Sequence, residues 1–147
     1  MRIALLGYGK MGKVIESIAL NRGHEVTLKI DKHSRDYDIK SVDVAINFST
    51  PDSAVDNIRE ALENNIPVIS GTTGWLSELE TIETLCEEKK GAFIYASNFS
   101  LGVNIFFELN KNLAKMMQTL SDYKVDLEEI HHTQKKDAPS GTAITLA

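Results

Sequence analysis

The feature that most constrains the fold is a glycine-rich turn near the amino terminus, residues 7–12, with the sequence GYGKMG. The mainly apolar run before it, residues 2–6, is typical of a buried strand. Over residues 11–19, apolar positions recur at spacings of three and four, which predicts an amphipathic helix. Residues 24–30 then alternate as a strand and deliver Asp31 at its end. Few folds place a strand, a glycine turn, a helix, a strand and an acid in this order.

This unit favours a domain that binds a dinucleotide. In such a turn Gly7 permits the tight bend, Gly9 lets the backbone approach a pyrophosphate, and Gly12 allows the helix to pack closely on the strand. The phosphates sit at the amino end of the helix. Asp31 would hold a ribose hydroxyl. The alternative is a glycine turn that binds nothing.

The residues around Asp31 are compatible with either of two nucleotides. Asp31 favours the free ribose hydroxyl of NADH, whereas Lys32, His33 and Arg35 favour the 2′-phosphate of NADPH. The expected cofactor is therefore NADPH or NADH.

Strands and helices keep alternating through the first hundred residues. Further strands are predicted over residues 42–48, 66–70 and 91–96. One helix is predicted over residues 51–64, and another has its apolar face between Leu79 and Cys86. Helices between successive strands imply right-handed crossovers and a parallel sheet covered on both faces. The predicted fold is α/β, a Rossmann-like doubly wound parallel sheet forming a dinucleotide-binding domain over residues 1–100.

Polar and glycine residues follow three of these strands. They are Phe48-Ser49-Thr50, Gly71-Thr72-Thr73-Gly74 and Ser97-Asn98-Phe99-Ser100. Ligands of parallel sheets bind at the carboxyl ends of the strands, so we expect these residues on the same rim as the glycine turn. Ordinary turn chemistry is the alternative for each of them.

Residues 101–147 begin a second domain. Leu101-Gly102-Val103 is predicted to be a hinge, followed by an amphipathic helix over residues 104–120 and a strand over residues 123–128. Ser140 is a good N-cap, and Gly141, Thr142 and Ala143 would then carry free backbone N–H groups at a helix start.

Basic residues are concentrated just before that helix start. His131, His132, Lys135 and Lys136 precede it, which favours a site for a small substrate with one or more carboxylates. A lysine or imidazole near that anion can also supply a proton. A plain basic loop is the alternative. No metal site is expected, because adjacent imidazoles in a strand point to opposite faces and no further ligand spacing supports one.

Charge and hydropathy exclude several classes of function. A net charge of −5 argues against a general nucleic-acid or anionic-membrane surface. The apolar run at the start is too short for a signal peptide or a membrane span. We therefore expect a cytoplasmic protein that binds neither nucleic acid nor membrane.

Residues 129–143, EIHHTQKKDAPSGTA, closely resemble the signature of the dihydrodipicolinate reductases, also called 4-hydroxy-tetrahydrodipicolinate reductases. The glycine turn, the Phe48 and Gly71 rim motifs and residues 97–104, SNFSLGVN, resemble further motifs of that family. The resemblance implies hydride transfer from NADH or NADPH to C4 of a cyclic unsaturated imine dicarboxylate, with loss of water from the 4-hydroxy compound. That reaction belongs to lysine and diaminopimelate biosynthesis.

The resemblance also implies roles for individual residues. Lys135 matches the proton donor, and His131 matches an imidazole that assists it. The implied substrate contacts are His132, Lys135, Ser140, Gly141 and Thr142. With the pattern above, the expected cofactor contacts are Gly7, Gly9, Lys10, Met11, Gly12, Asp31, Lys32, Phe48, Ser49, Gly71, Thr72, Thr73, Ser97, Asn98 and Phe99.

Members of that family are much longer than this chain, and their second domain also builds a homotetramer. We therefore expect residues 101–147 to be the truncated beginning of an α+β substrate and tetramerisation domain, with a homotetramer at full length. Two other functions stay open: a noncatalytic nucleotide-binding module, and another amino-acid-pathway dehydrogenase, such as one acting on a semialdehyde. The second is disfavoured because no cysteine lies in the context of a nucleophile.

Overall fold

The computed structural model describes residues 1–31, 33–34, 36–133 and 138–147. The chain divides into two compact units, Met1–Ala96 and Ser97–Ala147. The domain boundary placed at residue 100 by the sequence stays a prediction, because a compact unit does not by itself define a folding domain.

The first unit is a five-stranded parallel sheet with helices between its strands. Its elements are β1 (Arg2–Leu6), α1 (Lys10–Asn21), β2 (Glu25–Ile30), β3 (Val44–Asn47), α2 (Pro51–Glu63), β4 (Val68–Ser70), α3 (Leu79–Glu88) and β5 (Phe93–Tyr95). The strand order is β2-β1-β3-β4-β5, and every neighbouring pair is parallel. The predicted α/β doubly wound fold is confirmed.

Each face of the sheet has its own core, as the two-residue period of a strand requires. In β1, Ala4 and Leu6 join the larger apolar cluster with α2 and α3, whereas Ile3 and Leu5 face a smaller cluster beneath α1. All four side chains are at most 3% exposed. The amino-terminal ends of β1 and β3 are joined by Arg2, whose guanidinium donates to Asp43 at 2.8 Å.

The helices follow the predicted apolar faces to different degrees. In α2 the apolar periodicity predicts a core face of Ala54, Val55, Ile58, Ala61 and Leu62; all of these are completely buried except Val55, which is half-buried. In α1 the predicted face is only partly right: Ala19 is buried, but Met11, Val14 and Ile18 remain 48%, 49% and 46% exposed. The apolar stripe of α1 is wider than the part of it that lies on the sheet.

The strand order creates a crevice suited to a ligand between the carboxyl ends of β1 and β3. The chain leaves β1 for β2 on one side and later returns to place β3 on the other side of β1. Loops at the carboxyl ends of β1 and β3 therefore diverge, and in open α/β sheets ligands bind in that crevice.

The second unit contains α4 (Leu101–Met117) and α5 (Gly141–Leu146). The predicted hinge at residues 101–103 is wrong, because these residues are the first turn of α4, which also ends three residues earlier than predicted. The strand predicted over residues 123–128 is wrong as well: this segment has no regular structure. A strand needs a neighbouring strand for its backbone groups, and the described residues of this unit contain none.

The apolar stripe of α4 is largely exposed to solvent. Phe106, Leu109, Leu113 and Met116 are each more than half exposed, whereas Phe107 is the buried aromatic residue of this helix. The prediction of an amphipathic helix is thus right about the spacing of the apolar residues along α4.

Candidate nucleotide site and substrate segment

The first unit contains a cavity of about 420 Å³ at the crevice between the carboxyl ends of β1 and β3. Cavities of roughly 300–1,000 Å³ are typical of small-molecule and cofactor sites. Five of the predicted cofactor residues line it: Gly7, Gly9, Asp31, Phe48 and Ser49. The walls thus come from three loops that follow β1, β2 and β3, as expected for residues on one rim.

The glycine turn is closely packed at two of its three glycines. Gly7 has a φ of +101°, and a Cβ added there would lie 2.1 Å from the carbonyl oxygen of Phe48. A Cβ at Gly12 would lie 2.5 Å from the carbonyl oxygen of Gly7. A Cβ at Gly9 would meet no atom within 4 Å, so this glycine faces open space at the cavity wall. Gly7 and Gly12 determine the shape of the turn, and Gly9 presents only backbone atoms at the surface of the turn.

The amino end of α1 is suited to an anion. Gly9 is the N-cap and has no side chain to accept the first helical N–H groups, which also lack partners within the helix. No acidic residue lies in the first turn, where Lys10 and Met11 are exposed and Gly12 is buried. Backbone N–H groups and the helix dipole together favour a phosphate here.

Asp31, at the end of β2, keeps a fixed and ionised carboxylate. Its Oδ1 accepts the backbone N–H of His33 at 2.8 Å and lies 3.3 Å from the hydroxyl of Ser34. The hydrogen bond from the His33 backbone is the main cause that holds the pKa of Asp31 below its ordinary value. The site therefore carries a negative charge at neutral pH on the β2 side.

Six further residues line the cavity beyond those predicted as cofactor contacts. They are Tyr8, Ile30, His33, Thr50, Ser53 and Asn57. Thr50, Ser53 and Asn57 are spaced by three and four, so they share the face of α2 that borders the cavity. The sequence placed Thr50 on this rim but not Ser53 and Asn57, which reach the cavity because α2 packs on the sheet.

Tyr8 is held at the cavity by a charged pair. Its phenol donates to Glu16 of α1, which also pairs with Lys29 of β2. The Lys29 ammonium lies 5.2 Å from the centroid of the Tyr8 ring. The hydrogen bond from Lys29 is the main cause that lowers the pKa of Glu16, so the pair stays charged. The glycine turn is thereby tied to both neighbouring elements.

The predicted residues after β4 support the cavity from behind and do not line it. A Cβ at Gly71 would lie 2.2 Å from the Phe48 ring, so this glycine makes room for the ring. Thr72 is buried, and its hydroxyl accepts the N–H of Ser49 at 2.8 Å. Thr73 is half-buried in the same loop.

In the second unit, Glu129 contacts one predicted catalytic residue, His131, and one predicted substrate residue, Ser140. Its carboxylate lies 3.0 Å from Nδ1 of His131 and accepts the backbone N–H of Ser140 at 3.0 Å with both oxygens. His131 is exposed, whereas Ser140 is buried. The chain's own carboxylate thus binds the N–H of the N-cap residue, directly before the three N–H groups that the sequence predicts to be free.

Ser140 is the N-cap of α5, as predicted. Its hydroxyl accepts the N–H of Ala143 at 3.0 Å, so the prediction of a free N–H at Ala143 is wrong. Gly141 and Thr142 occupy the first turn of α5 and are half-buried, and His132 is exposed.

The remaining predicted site residues are distributed as follows. Ser97, Asn98 and Phe99 belong to the second unit, where Asn98 Oδ1 accepts the N–H of Ser100 at 2.8 Å beside the start of α4. Lys32 and Lys135 lie outside the described residues, as do Arg35 and Lys136 of the predicted cation clusters.

Within residues 1–31, 33–34, 36–133 and 138–147, no helix combines the length and hydropathy needed to cross a membrane. Over the same ranges, no three or more His, Cys, Asp and Glu side chains are grouped as metal ligands would be.

Two family models match the chain. The model described as "Dihydrodipicolinate reductase, N-terminus" matches residues 1–99, and the model described as "Dihydrodipicolinate reductase, C-terminus" matches residues 102–147.

Among curated proteins, one named 4-hydroxy-tetrahydrodipicolinate reductase from Christiangramia forsetii is 57% identical over 100% of this chain and 62% of its own length. A protein of the same name from Thermosipho africanus is 39% identical over 99% of this chain and 65% of its own length. This chain therefore spans less than two thirds of the length of these relatives.

A solved structure, a dipicolinate-bound dihydrodipicolinate reductase from Paenisporosarcina sp. TG-14, is similar to this chain with a TM-score of 0.70 and 27% identity. The similarity covers 99% of this chain and 63% of that protein. The chain belongs to the dihydrodipicolinate reductase family.

Proposed function

We propose that this chain carries the nucleotide-binding domain and the catalytic segment of an NAD(P)H-dependent 4-hydroxy-tetrahydrodipicolinate reductase of lysine and diaminopimelate biosynthesis. The observation that carries the proposal is the cavity at the β1–β3 crevice, bordered by the bare amino end of α1 and by Asp31. The proposal is supported by the family, in which the curated relatives bear the name of that reaction.

The cavity suits a dinucleotide, and each part of the nucleotide has a proposed place. The pyrophosphate is bound by the N–H groups at the start of α1, where Gly9 presents no side chain. Asp31 accepts from a ribose hydroxyl. Phe48 and Ser49 also line the cavity, and we propose that the nicotinamide extends past them. When bound, the reduced nicotinamide supplies the hydride.

The choice between NADH and NADPH depends on charge near Asp31. An ionised Asp31 favours the two free hydroxyls of NADH and repels a 2′-phosphate. His33 lines the same part of the cavity and offers a hydrogen-bonding imidazole to either nucleotide. We propose that both are accepted, with NADH used at least as well as NADPH.

On the substrate side we propose that Lys135 donates the proton and that His131 assists it. The Glu129 carboxylate lies 3.0 Å from Nδ1 of His131 and orients the imidazole. Ser140, Gly141, Thr142 and His132 bind the carboxylates. The similar solved protein binds dipicolinate, which is a dicarboxylate, and this supports a substrate of that class.

The assembly is also a proposal. We propose a homotetramer for the complete polypeptide, on the strength of family membership and of the exposed apolar stripe of α4. On the strength of the resemblance, we also propose Ser97, Asn98 and Phe99 as contacts of the nicotinamide.

The test is the oxidation of NADH and NADPH by the natural polypeptide on addition of freshly generated substrate. We expect rapid oxidation, and we expect Lys135→Ala to lower kcat roughly 100-fold or more because general acid catalysis contributes on that order. The dissociation constant for NADH should stay unchanged in this variant. Lys124→Ala is the matched control, since Lys124 is exposed and lies outside the proposed site.

Two results would contradict the proposal. Equal losses of turnover and nucleotide affinity in Lys135→Ala would remove its role as proton donor. A native protein that binds NADH but never oxidises it in the presence of substrate would be a noncatalytic nucleotide-binding module.

A further inference from the structure

One polar side chain beneath the cavity is completely buried without lining it. Asn47, the last residue of β3, is 0% exposed. A buried amide is strongly disfavoured unless its donors and acceptors are all paired. Its partners therefore explain why an amide, and not an apolar residue, occupies the end of this strand.

The Asn47 amide connects three elements. Its Nδ2 donates to the hydroxyl of Ser70 at the end of β4, at 3.0 Å. Its Oδ1 accepts from the hydroxyl of Ser49, at 2.8 Å, and from Nδ2 of Asn57 in α2, at 3.1 Å. Both acceptor positions of Oδ1 are thus used. Ser49 and Asn57 line the cavity, whereas Ser70 does not line it and is completely buried.

Two hydrogen bonds donated by backbone N–H groups also fix the loop after β3. The N–H of Ser49 donates to Thr72 Oγ1 at 2.8 Å, and the N–H of Gly71 donates to the carbonyl of Asn47 at 3.0 Å. The loops after β3 and β4 are therefore fixed to one another around Asn47.

This arrangement determines which groups reach a ligand. The Ser49 hydroxyl lies 2.8 Å from Asn47 Oδ1 and 3.4 Å from the carbonyl of Thr50, and both of these atoms are acceptors. The single hydroxyl proton is committed to one of them, so the Ser49 oxygen can only accept from a ligand. Asn57 uses one N–H on Asn47 and keeps its other N–H and its carbonyl for the cavity.

We propose that Asn47 is a positioning residue for the nucleotide: it orients Ser49 as an acceptor and Asn57 as a combined donor and acceptor toward a hydroxyl or carboxamide of the ligand. The inference rests on the proposed nucleotide-dependent function and adds to it the residue that sets the polarity of the β3 wall. Asn47 acts through Ser49 and Asn57 and does not touch the ligand.

The test compares four variants of the natural polypeptide with NADH as the probe. Asn47→Ala removes the amide, Ser70→Ala removes its anchor on the far side, and Asn47→Asp keeps the shape and both acceptor bonds. Ile82→Val is the control, because Ile82 is completely buried in α3 away from the cavity, so the change loosens the core alone. Folding of each is checked by far-UV circular dichroism and thermal unfolding.

We expect Asn47→Ala to raise the dissociation constant and the KM for NADH by about tenfold, the effect of one hydrogen bond lost at the ligand. The KM for the dicarboxylate should not change. Ser70→Ala should show a smaller rise of the same kind. Asn47→Asp should bind NADH within about threefold of the native protein, because the Ser70 hydroxyl can turn to donate to the second oxygen. Ile82→Val should lower the unfolding midpoint and leave NADH binding unchanged.

Unchanged NADH binding in folded Asn47→Ala and Ser70→Ala, with native binding intact, would overturn the inference and leave the proposed function standing. Should Asn47→Ala fail to fold, Ser70→Ala decides. Weaker NADH binding in Ile82→Val of the same size would also overturn it, since any loss of stability would then have the same effect. A native protein that binds neither NADH nor NADPH would overturn the proposed function instead.

Discussion

At the scale of single residues, two glycines of the same turn have different physical roles. Gly7 is required by geometry, because its φ of +101° and the carbonyl of Phe48 both exclude a side chain. Gly9 has room for a side chain and an ordinary φ of −88°, so the fold does not require glycine there, and the role we propose for it is toward a ligand.

We therefore predict opposite results for two identical substitutions. Gly7→Ala should lower the free energy of unfolding by about 3 kcal/mol, because strain at positive φ and overpacking add together. Gly9→Ala should change stability by less than about 0.5 kcal/mol. It should nevertheless weaken NADH binding, because its Cβ enters the space beside the proposed pyrophosphate.

Urea denaturation and NADH titration on both variants make the comparison. A Gly9→Ala variant that binds NADH as well as the native protein would contradict the assignment of this face to the pyrophosphate. A Gly7→Ala variant of native stability would mean that the turn rearranges at little cost.

Some residues of the cavity could be predicted from the sequence, and others could not. Gly7, Gly9 and Asp31 are predictable because their roles depend on local turn chemistry and on the end of a strand. Asn57 is not, since it meets the cavity only after α2 packs on the sheet and turns this side chain toward β3. The occupied N–H of Ser140 depends likewise on Glu129, eleven residues earlier.

At the scale of elements, a tyrosine ties the loop between β2 and β3 to α2. The Tyr37 phenol donates to Glu60 at 2.7 Å and packs against the larger core cluster. Burial, followed by this hydrogen bond, raises the pKa of Tyr37 to about 12 from its ordinary value of 10.0.

This shift predicts a specific loss of stability in alkali. A raised pKa means that folding favours the protonated phenol, so its contribution is complete below pH 10 and is lost as the pH rises from 10 toward 12. Tyr37→Phe should be less stable than the native protein at pH 9, and the difference should shrink by up to about 1 kcal/mol at pH 11 after allowance for solvent screening.

Denaturation midpoints at both pH values test this prediction. Glu25→Gln serves as a control, since Glu25 is exposed and begins β2, at the opposite end of that strand from the loop. A constant difference between Tyr37→Phe and the native protein across this range would show that the phenol titrates alike in the folded and unfolded states.

Element prediction succeeded where a segment forms a layer with its sequence neighbours. The apolar face of α2 and the strands of the sheet follow local periodicity, and each meets a partner contributed by the same βαβ unit. The strand predicted over residues 123–128 has the alternating pattern but no neighbouring strand among the described residues. Pattern gives the preference of a segment, and pairing decides whether a strand forms.

At the scale of the whole molecule, the apolar interior is unequally divided. Both core clusters lie within Met1–Ala96, whereas the buried apolar side chains in the described part of Ser97–Ala147 are Phe107 and Ala143. The fold class was predictable because the repeated strand and helix alternation occupies the first unit.

We predict that residues 1–96 fold alone and residues 97–147 do not. The first fragment should unfold cooperatively on heating, as followed by circular dichroism, because its sheet is covered by helices within the fragment itself. The second should show a broad, noncooperative change, since its apolar side chains are mostly exposed. A noncooperative melt of the first fragment would mean that its core requires residues beyond Ala96.

The position of Trp75 has a spectroscopic consequence. It is the single tryptophan of this sequence, it is 3% exposed, and its indole N–H donates to the carbonyl of Thr72 at 2.6 Å, in the loop behind the cavity. Emission from this chain therefore arises at one known point, next to Phe93 and Tyr95, whose rings meet the indole edge-on. Reduced nicotinamide absorbs in the region where tryptophan emits, so energy transfer from this native donor would measure the distance to a bound nucleotide without an attached dye.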